Sequence, residues 1–369
     1  MSAALASTPA ADGFHLPAEW EPHARCWMAW PTRTDTWRAD AEPAQAAFAA
    51  VAAAIAGAEP VAMAVGAAQI ERARALLPPT VEVVELETDD AWMRDIGPSF
   101  VVGPGGEARG VDWVFNAWGG LDGGLYAPWD RDDAAAAAIC EIEQVARYRA
   151  PLVLEGGSIH VDGEGTLLTT EQCLLNPNRN PDLSRAQIES HLRDHTGADT
   201  VIWLGDGVWL DETDGHVDNL ACFVRPGVVA LTWTDDRTDP QYAISADARR
   251  RLEAAVDARG RSLEVHLIPQ PRPGPMTEVE AAGVVAEPGT RPRPAGAHLA
   301  ASYVNFYVAT DRVVVPRLDP AFDDEAAARI GDLFPGRTVV GVETREILLG
   351  GGNIHCITQQ VPSRPAASR

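Results

Sequence analysis

Apolar and polar positions follow a repeating order along the middle of the chain. SFVVG at 99–103 and DWVFN at 112–116 have the short apolar pattern of strands, and PLVLE at 151–155 has it again. Between them, 131–148 has the spacing of a helix, with acidic residues in its first turn, where they face the positive end of the helix dipole. The predicted order is therefore strand, strand, helix, strand.

The same order is predicted three more times. Turn signals at Asp162-Gly163 and Pro226-Gly227 favour hairpins, and Ser184 and Gly197 are suited to the start and end of a helix. The three further units are predicted as hairpins at 158–170, 219–233 and 302–318, helices at 184–197, 244–260 and 319–336, and closing strands at 200–205, 263–269 and 338–343.

A fifth unit is predicted to be split between the two ends of the chain, with strands at 354–362, 26–31 and 61–65 and a helix at 42–57. No sequence identity links the units, so the repeat is one of architecture. Five ββαβ units that close through the terminal strands predict an α/β fold of the five-bladed, pseudo-symmetric propeller type. An ordinary layered α/β domain is the alternative.

The chain is expected to form a single domain over 1–369, with flexible termini at about 1–14 and 363–369. The segment 269–301 breaks the repeat and is rich in proline and glycine. Loops of this length in compact domains are usually functional or disordered, and a lid over a site is our preferred interpretation.

The composition and net charge of the chain indicate which classes of molecule it could bind. The net charge of −23 disfavours binding to nucleic acid or to an anionic membrane surface and is compatible with a small cationic substrate. No apolar run of about 18 residues is present, and the alanine-rich stretch 44–57 is expected to be a packed helix. The five cysteines are scattered without a C-x-x-C, and the N-terminus lacks a secretory pattern, so we expect a cytoplasmic location.

Polar residues concentrate at the junctions between predicted units. The junctions 89–98, 154–160, 211–219 and 349–356 each place acids, histidine or cysteine beside glycine. Equivalent junctions of a closed ring meet near its axis, which would bring polar groups from several loops into one site. The residues predicted to converge are Asp95, Glu155, His216, Asp218 and Cys356.

These residue types suit attack on a cationic carbon. A thiolate at Cys356 needs a nearby cation, for which protonated His216 is one candidate, whereas neighbouring carboxylates oppose it. The combination of a thiol with several carboxylates is explained if the substrate itself carries the positive charge. A guanidinium is planar, permanently charged and pairs with carboxylates in bidentate fashion, so Asp95 and Asp218 could clamp it. Its charge would then favour the thiolate.

Each of these residues also has a structural interpretation. Cys356 could be a buried core cysteine, Asp95 could form an ion pair with Arg94, and Trp92 could be core packing or a wall against a flat cation. A metal site is the least favoured alternative, because the spacing of its candidate ligands matches no familiar zinc pattern. Those ligands would be His160, His216, Asp218 and His355. The remaining cysteines are interpreted as structural: Cys26, Cys140, Cys173 and Cys222.

Several long motifs, in order, make the chain resemble a known family. The chain is similar to the agmatine deiminase family of the guanidino-modifying superfamily, which includes bacterial peptidylarginine deiminases. This resemblance implies a five-bladed α/β propeller of the pentein type. The motifs are AWMRDIGPSFVV (91–102), WGGLDGGLYAPWDRDD (118–133), LEGGSIHVDGEGTLLTTEQCLLNPNRNP (154–181), DETDGHVDNLACF (211–223), AASYVNFYVA (300–309) and REILLGGGNIHCITQQ (345–360).

The resemblance implies a role for each matched catalytic position. Cys356 is the expected nucleophile, which forms an amidino-cysteine intermediate, and His216 is the expected general acid and base. Asp95 and Asp218 are expected to grip the guanidinium. Glu155 is expected to lie near His216 and to orient it.

The resemblance also implies the substrate and its surroundings. Glu212 is expected to face the far amine of agmatine, and Trp92 to lie beside the guanidinium. The implied activity is hydrolysis of agmatine to N-carbamoylputrescine and ammonia by a catalytic domain that uses no metal or organic cofactor. Alternatives are a peptidylarginine or free-arginine deiminase, an amidinotransferase of the same superfamily, and a guanidine-binding protein without turnover. A homo-oligomer is left open.

Overall fold

The computed structural model describes residues 4–363, and these form strands and helices in alternation. Strands are numbered in chain order: β1 His23–Ala29, β2 Val61–Val65, β3 Val81–Glu85, β4 Ser99–Val102, β5 Ala108–Val114, β6 Arg147–Val153, β7 Ile159–Val161, β8 Thr166–Thr170, β9 Thr200–Leu204, β10 Ala221–Arg225, β11 Val228–Trp233, β12 Glu264–Pro269, β13 Tyr307–Val308, β14 Arg312–Arg317, β15 Thr338–Glu343 and β16 Gln359–Pro362.

Helices are of two kinds, long ones that cover the sheets and single turns at junctions. They are α1 Glu42–Ala56, α2 Ile70–Leu76, α3 Met93–Ile96, α4 Gly120–Gly123, α5 Asp130–Ile142, α6 Glu171–Leu174, α7 Arg185–Thr196, α8 Val217–Leu220, α9 Pro240–Ala254, α10 Glu278–Ala282, α11 Asp323–Leu333 and α12 Arg345–Leu348. Three short 3₁₀ turns lie at Ala39–Ala41, Ala67–Gln69 and Gly156–Ser158.

The strands of the described part form five small sheets in a mixed α/β fold. Four of these sheets have the same plan, in which an antiparallel hairpin is followed by a parallel third strand. A parallel partner requires a crossover connection, and α5, α7, α9 and α11 provide it. The strand, strand, helix, strand prediction is therefore confirmed for all four units.

The fifth sheet joins the two ends of the chain, as predicted. β16 pairs antiparallel with β1, and β1 pairs parallel with β2 across α1. The sheet also holds a fourth strand, β3, which the sequence analysis missed together with α2. The predicted strand at 354–362 begins only at Gln359, so that His355 and Cys356 lie in the turn before it.

Apolar side chains fill the space between helices and sheets. The alanine-rich α1 is packed as expected, with Phe48, Val51 and Ile55 fully buried. Small alanine side chains let this helix lie close to its sheet. None of the helices between residues 4 and 363 is both long and apolar enough to cross a bilayer.

The two chain ends differ in what the structure describes. Residues 1–3 and 364–369 of the segments predicted to be flexible lie outside the described residues. Within the rest of the first segment, the Leu5 backbone N–H donates to the Arg147 carbonyl at 2.8 Å, and Phe14 is 3% exposed. This part packs on the body of the protein, and its flexibility stays a prediction.

Candidate active site

A short buried turn precedes the first strand of several units, and these turns carry the predicted site. α3 precedes β4 and carries Asp95, the 3₁₀ turn at Gly156–Ser158 precedes β7 and follows Glu155, and α8 precedes β10 and carries Asp218. The turns contact one another although they are far apart in sequence. Single helical turns at these junctions point polar side chains inward while their backbones pass to the strands.

Cys356 lies among polar groups and not in an apolar core. Its Sγ is 3.1 Å from Asn305 Nδ2, which donates to it, and 3.5 Å from Asp218 Oδ2. Burial raises the pKa of the Cys356 thiol well above its usual range, and the carboxylates of Asp218 and Asp95 raise it further. The thiol is therefore protonated until a cation enters the site.

His216 is held between two carboxylates. Its Nε2 is 3.3 Å from Glu155 Oε2, and its Nδ1 is 3.9 Å from Asp95 Oδ2. Burial opposes a charge on the ring, but Asp95, the Cys173 side chain and Glu155 outweigh it and hold the pKa of His216 well above its usual range. The imidazolium can donate a proton to a leaving group.

Asp95, His216 and Asp218 surround one small space beside Gly157. A methyl group at Gly157 would lie 2.6 Å from His216 Nδ1, 2.9 Å from Asp218 Oδ2 and 3.0 Å from Asp95 Oδ1. Only glycine leaves this space open. Glycine at this position therefore lets the two carboxylates and the imidazole converge, an arrangement that suits the N–H groups of a guanidinium.

The two aspartates differ in how they are held. Asp95 accepts from Trp118 Nε1 at 3.0 Å and from the Gly157 N–H at 2.9 Å. Asp218 Oδ2 is 2.8 Å from His355 Nδ1, while its Oδ1 has no hydrogen-bond partner among residues 4–363. A buried carboxylate oxygen left unpaired is costly, so Asp218 Oδ1 is free to accept a hydrogen bond from a ligand.

Arg179 stabilises Glu155 from behind and was not predicted. Its Nε donates to Glu155 Oε1 at 2.8 Å, and its Nη1 donates to the Trp118 carbonyl at 2.6 Å. Burial opposes ionisation of Glu155, but Arg179 and His216 outweigh it and lower the pKa of this carboxyl. An arginine within a polar stretch such as NPNRNP has no local signal for burial, because its partners lie far away in sequence.

Asn305 and His355 were also missed as site residues. The strand predicted at 354–362 included His355, and the structure corrects this, because His355 lies in the turn before β16 and bonds to Asp218. Asn305 lies within the AASYVNFYVA motif, and its Oδ1 also accepts from the His355 N–H at 2.9 Å. Its occurrence in a long family motif was the one available signal.

The proposed ion pair between Asp95 and Arg94 was wrong. Arg94 pairs instead with Glu19, at 3.1 Å between Nη1 and Oε1. The Arg94 N–H also donates to the Cys356 carbonyl at 3.0 Å. Adjacent residues on a single helical turn point in different directions, so that Asp95 faces the site and Arg94 faces the opposite side.

Trp92 is both core packing and a wall near the thiol. Its ring packs against Trp37 with centroids 5.2 Å apart, and its Nε1 donates to Asp90 Oδ2 at 3.1 Å. A methyl group at Gly352 would lie 2.5 Å from the Trp92 ring and 3.1 Å from Cys356 Sγ. The indole is therefore fixed beside the space in front of Cys356.

Glu212 lies at the mouth of the site under the 269–301 loop. Its Oε1 accepts from Arg293 Nη2 at 2.8 Å, and its Oε2 is 3.4 Å from Arg291 Nε. Gly351 has a φ of 109°, and Glu212 occupies the position where a side chain there would project. The Glu212 carboxylate is thus already paired, and an amine of a substrate would have to share it.

The loop covers a cleft beside Trp92. The cleft is narrow and is bordered on the loop side by Thr290, Arg291 and Arg293. Arg293 also donates to the Gly350 carbonyl at 2.8 Å, which ties the loop to the glycine-rich turn. The cleft is lined by Asp35, Thr36, Asp90, Trp92, Trp118, Leu125, Tyr126, Thr290, Arg291 and Arg293.

Two groups of side chains have the composition of a metal site but an unsuitable charge. One group is Glu155, Cys173 and His216, and Arg179 already neutralises its carboxylate. The other is Glu19, His160 and His355, in which Arg94 does the same. A fixed guanidinium beside each carboxylate opposes binding of a second cation. The set suggested from sequence, which also contained Asp218, does not form one cluster.

The chain is similar to known proteins over almost its whole length. The model of the Porphyromonas-type peptidyl-arginine deiminase family matches residues 15–362. The agmatine deiminase of Ectopseudomonas mendocina is 58% identical over 98% of this chain and 99% of its own length. The structure of the agmatine deiminase of Enterococcus faecalis has a TM-score of 0.96 at 48% identity, covering 99% of this chain and 100% of that one.

A more distant structure shares the fold. The agmatine deiminase of C. jejuni superimposes with a TM-score of 0.79 at 24% identity and covers 95% of this chain and 97% of its own. Identity this low supports similarity of architecture alone. Together with the family match and the high identity of the nearer relatives, these findings identify the family: the chain belongs to the Porphyromonas-type peptidyl-arginine deiminase family and, within it, to the agmatine deiminases of the guanidino-modifying superfamily.

Proposed function

We propose that the chain is an agmatine deiminase, a hydrolase of C–N bonds that converts agmatine and water into N-carbamoylputrescine and ammonia. The observation that carries the proposal is the convergence of Asp95, His216 and Asp218 beside Gly157, with Cys356 Sγ 3.5 Å from Asp218 Oδ2. The 58% identity to the agmatine deiminase of Ectopseudomonas mendocina supports this substrate.

The first half of the reaction replaces a C–N bond by a C–S bond. Asp95 and Asp218 accept hydrogen bonds from the guanidinium N–H groups, and Cys356 releases its proton to solvent as the cation enters and then attacks the central carbon. The His216 imidazolium donates a proton to one terminal nitrogen, which leaves as ammonia. An amidino group with a positive charge remains on Cys356 sulfur.

The second half restores the thiol. Neutral His216 removes a proton from a water molecule, which attacks the same carbon, and the C–S bond breaks as the ureido product forms. The sulfur leaves as a thiolate, and the proton released from the added hydroxyl group converts this thiolate back to the thiol. Glu155, itself held by Arg179, keeps the His216 ring aligned for both proton transfers.

The charges around the thiol explain why the substrate has to ionise it. Four cationic side chains face four carboxylates, so the empty site is close to neutral. An arriving guanidinium adds one positive charge, which favours loss of the Cys356 proton. The cationic side chains are Arg94, Arg179, His216 and His355. The carboxylates are Glu19, Asp95, Glu155 and Asp218.

We also propose that the five sheets close into a pseudo-symmetric propeller of the pentein type, which forms a single catalytic domain over 1–369 in the cytoplasm. The matching junction turns and the pairing of β16 with β1 support the ring. The reaction as proposed needs no cofactor, and its partner is the small cationic guanidine. A homo-oligomer is compatible with it.

The far end of the substrate distinguishes agmatine from arginine. Agmatine ends in an amine, which suits Glu212, whereas arginine carries a carboxylate, which suits an arginine side chain. Arg291 is half-exposed beside Glu212 and offers a guanidinium to such a carboxylate. Free or peptidyl arginine is therefore the second candidate substrate. Glu212 contacts both the 269–301 loop and the glycine-rich turn, so we propose that it binds the amine of agmatine.

Turnover of three guanidines tests the substrate. We expect agmatine to be hydrolysed with a kcat/KM at least about 100-fold above that of free arginine or a blocked arginine peptide, because its amine gains a charge-assisted hydrogen bond with Glu212, worth up to about 3 kcal/mol, that the arginine substrates lack. Ureido product and ammonia are measured for each. Preferred turnover of either arginine substrate would contradict the assignment, and amidinated product on addition of amines would indicate an amidinotransferase.

The acidic limb of the pH profile should report Asp95. Burial raises the pKa of the Asp95 carboxyl to about 6, and Asp218 and Glu155 add to the shift while His216 opposes it. Below this pKa the carboxyl is neutral and cannot pair with the guanidinium. We therefore expect kcat/KM for agmatine to fall as the pH drops through about 6. A profile flat down to pH of about 4.5, near an unperturbed carboxyl, would contradict this role.

A further inference from the structure

Glu19 is a buried acid that the proposed mechanism does not use. It lies in the segment before β1, where no motif indicates a functional residue, and its side chain is 13% exposed. Its Oε1 is 2.8 Å from His355 Nε2 and 3.1 Å from Arg94 Nη1, and its Oε2 is 3.6 Å from His160 Nε2. Three basic side chains from different segments thus converge on one carboxylate.

Both ring nitrogens of His355 face carboxylates. Nδ1 is 2.8 Å from Asp218 Oδ2, and Nε2 is 2.8 Å from Glu19 Oε1. An ionised carboxylate only accepts, so both contacts are hydrogen bonds only if the ring carries two protons. Burial and Arg94 oppose this charge, but Glu19 and Asp218 outweigh them and raise the pKa of His355.

The other groups that face His355 are consistent with this state. Arg94, from α3, shares Glu19 Oε1 with His355, and its Nε donates to the His355 carbonyl at 3.4 Å. The ring of His160, from β7, lies 6.2 Å from that of His355. His160 Nδ1 accepts from the Phe223 N–H at 3.3 Å, so a ring proton lies on Nε2, which faces Glu19. This tautomer does not offer Nε2 to a metal.

We propose that Glu19 is a positioning residue of the active site, which holds His355 doubly protonated so that His355 fixes Asp218 in the orientation needed to bind the guanidinium. With Oδ2 engaged by His355, Asp218 keeps Oδ1 unpaired for the substrate. Glu19 acts through His355 and does not itself contact the substrate. The proposal rests on the proposed deiminase function.

The substitution Glu19→Gln tests the proposal while keeping the side-chain shape. The amide of glutamine is neutral and no longer stabilises the positive charge on His355. His355 therefore loses a proton more readily. We expect kcat/KM for agmatine to fall about 10- to 100-fold, the range for partners that orient a ligating residue. We also expect the alkaline limb of the profile to move down by about one pH unit, because His355 deprotonates earlier.

A matched control separates positioning from general stability. Glu59 is another buried glutamate paired with a histidine, since its Oε1 lies 3.1 Å from His23 Nδ1, remote from the site. Glu59→Gln should lower the melting temperature to a degree comparable with Glu19→Gln and leave the pH profile unchanged. Glu19→Asp, which keeps the charge, should retain the alkaline limb of the parent. A Glu19→Gln profile with an unmoved limb would overturn the proposal.

A second measurement does not depend on turnover. Nuclear magnetic resonance of the unsubstituted chain with ¹⁵N-labelled histidine should show both His355 nitrogens protonated at neutral pH, with assignment by His355→Gln. A neutral His355 at pH about 7, near the ordinary pKa of histidine, would overturn the proposal. Failure of agmatine turnover with a doubly protonated His355 would instead reject the proposed function.

Discussion

Replacement of Cys356 by alanine is expected to abolish ammonia release from agmatine, with a loss of at least about 10⁴-fold in kcat. The C–S bond is expected to be lost because Cys356 is the thiol beside Asp218, whereas Cys173 contacts Glu155 and the other three cysteines are core residues. Binding should survive, since Asp95 and Asp218 keep their contacts. Calorimetry measures agmatine binding, and an ammonia assay measures turnover.

The control for this variant is Cys222→Ala. Cys222 lies in β10, is 3% exposed and has a pKa raised by burial, as expected of an inert core thiol. Its replacement should cost about 1 kcal/mol in stability through a small cavity and leave kcat near that of the parent. Turnover that survives in Cys356→Ala would rule out the covalent mechanism, and loss in Cys222→Ala would show that cysteine removal disrupts the fold.

Replacement of His216 by glutamine is expected to lower kcat by about 10²- to 10⁴-fold, which is the usual contribution of a positioned acid and base. The effect has two parts, because ammonia leaves only when a proton is supplied and water attacks only when one is removed. Glutamine fills a similar space but transfers no proton at neutral pH. Single-turnover kinetics with detection of sulfur-bound amidino adduct by mass spectrometry measures both halves.

A second buried histidine serves as the control. His195 is 4% exposed in α7, and its Nδ1 contacts the His191 carbonyl at 2.9 Å, away from the site. His195→Gln should retain the kcat of the parent. If His216→Gln turned over agmatine at the normal rate, another group would have to be the acid, and the role of His216 would be wrong.

The repeated secondary structure was predictable because each strand and helix has a local pattern of apolar residues within a short segment. Alternating and helical apolar spacing, with turn residues such as Asp162-Gly163, indicated four of the five units. Even the split unit was predicted from apolar runs at both ends. β3 was missed because VEVVE between β2 and α3 has half-exposed valines and lies outside the repeating order.

The candidate site was predictable to the extent that polar residues lay at matching junctions. Asp95, Glu155, Asp218 and Cys356 follow the repeat, and the equivalence of those junctions predicted that they converge. Their roles still rest on the proposed mechanism. Glu19 and Arg179 could not be predicted, because neither lies at a repeated junction. The role of a buried charged side chain depends on partners that are distant in sequence.

The amino-acid sequence by itself determined the order of strands and helices, the residues that reach the junctions, and membership in the family through long motifs in the right order. Only the tertiary structure decided which partner each polar atom takes. It pairs Arg94 with Glu19 and not with Asp95, places His355 between two carboxylates, and leaves Asp218 Oδ1 unpaired. The reason is physical: apolar periodicity is local along the chain, whereas hydrogen bonds and charge balance depend on distances of a few ångströms between segments that folding brings together.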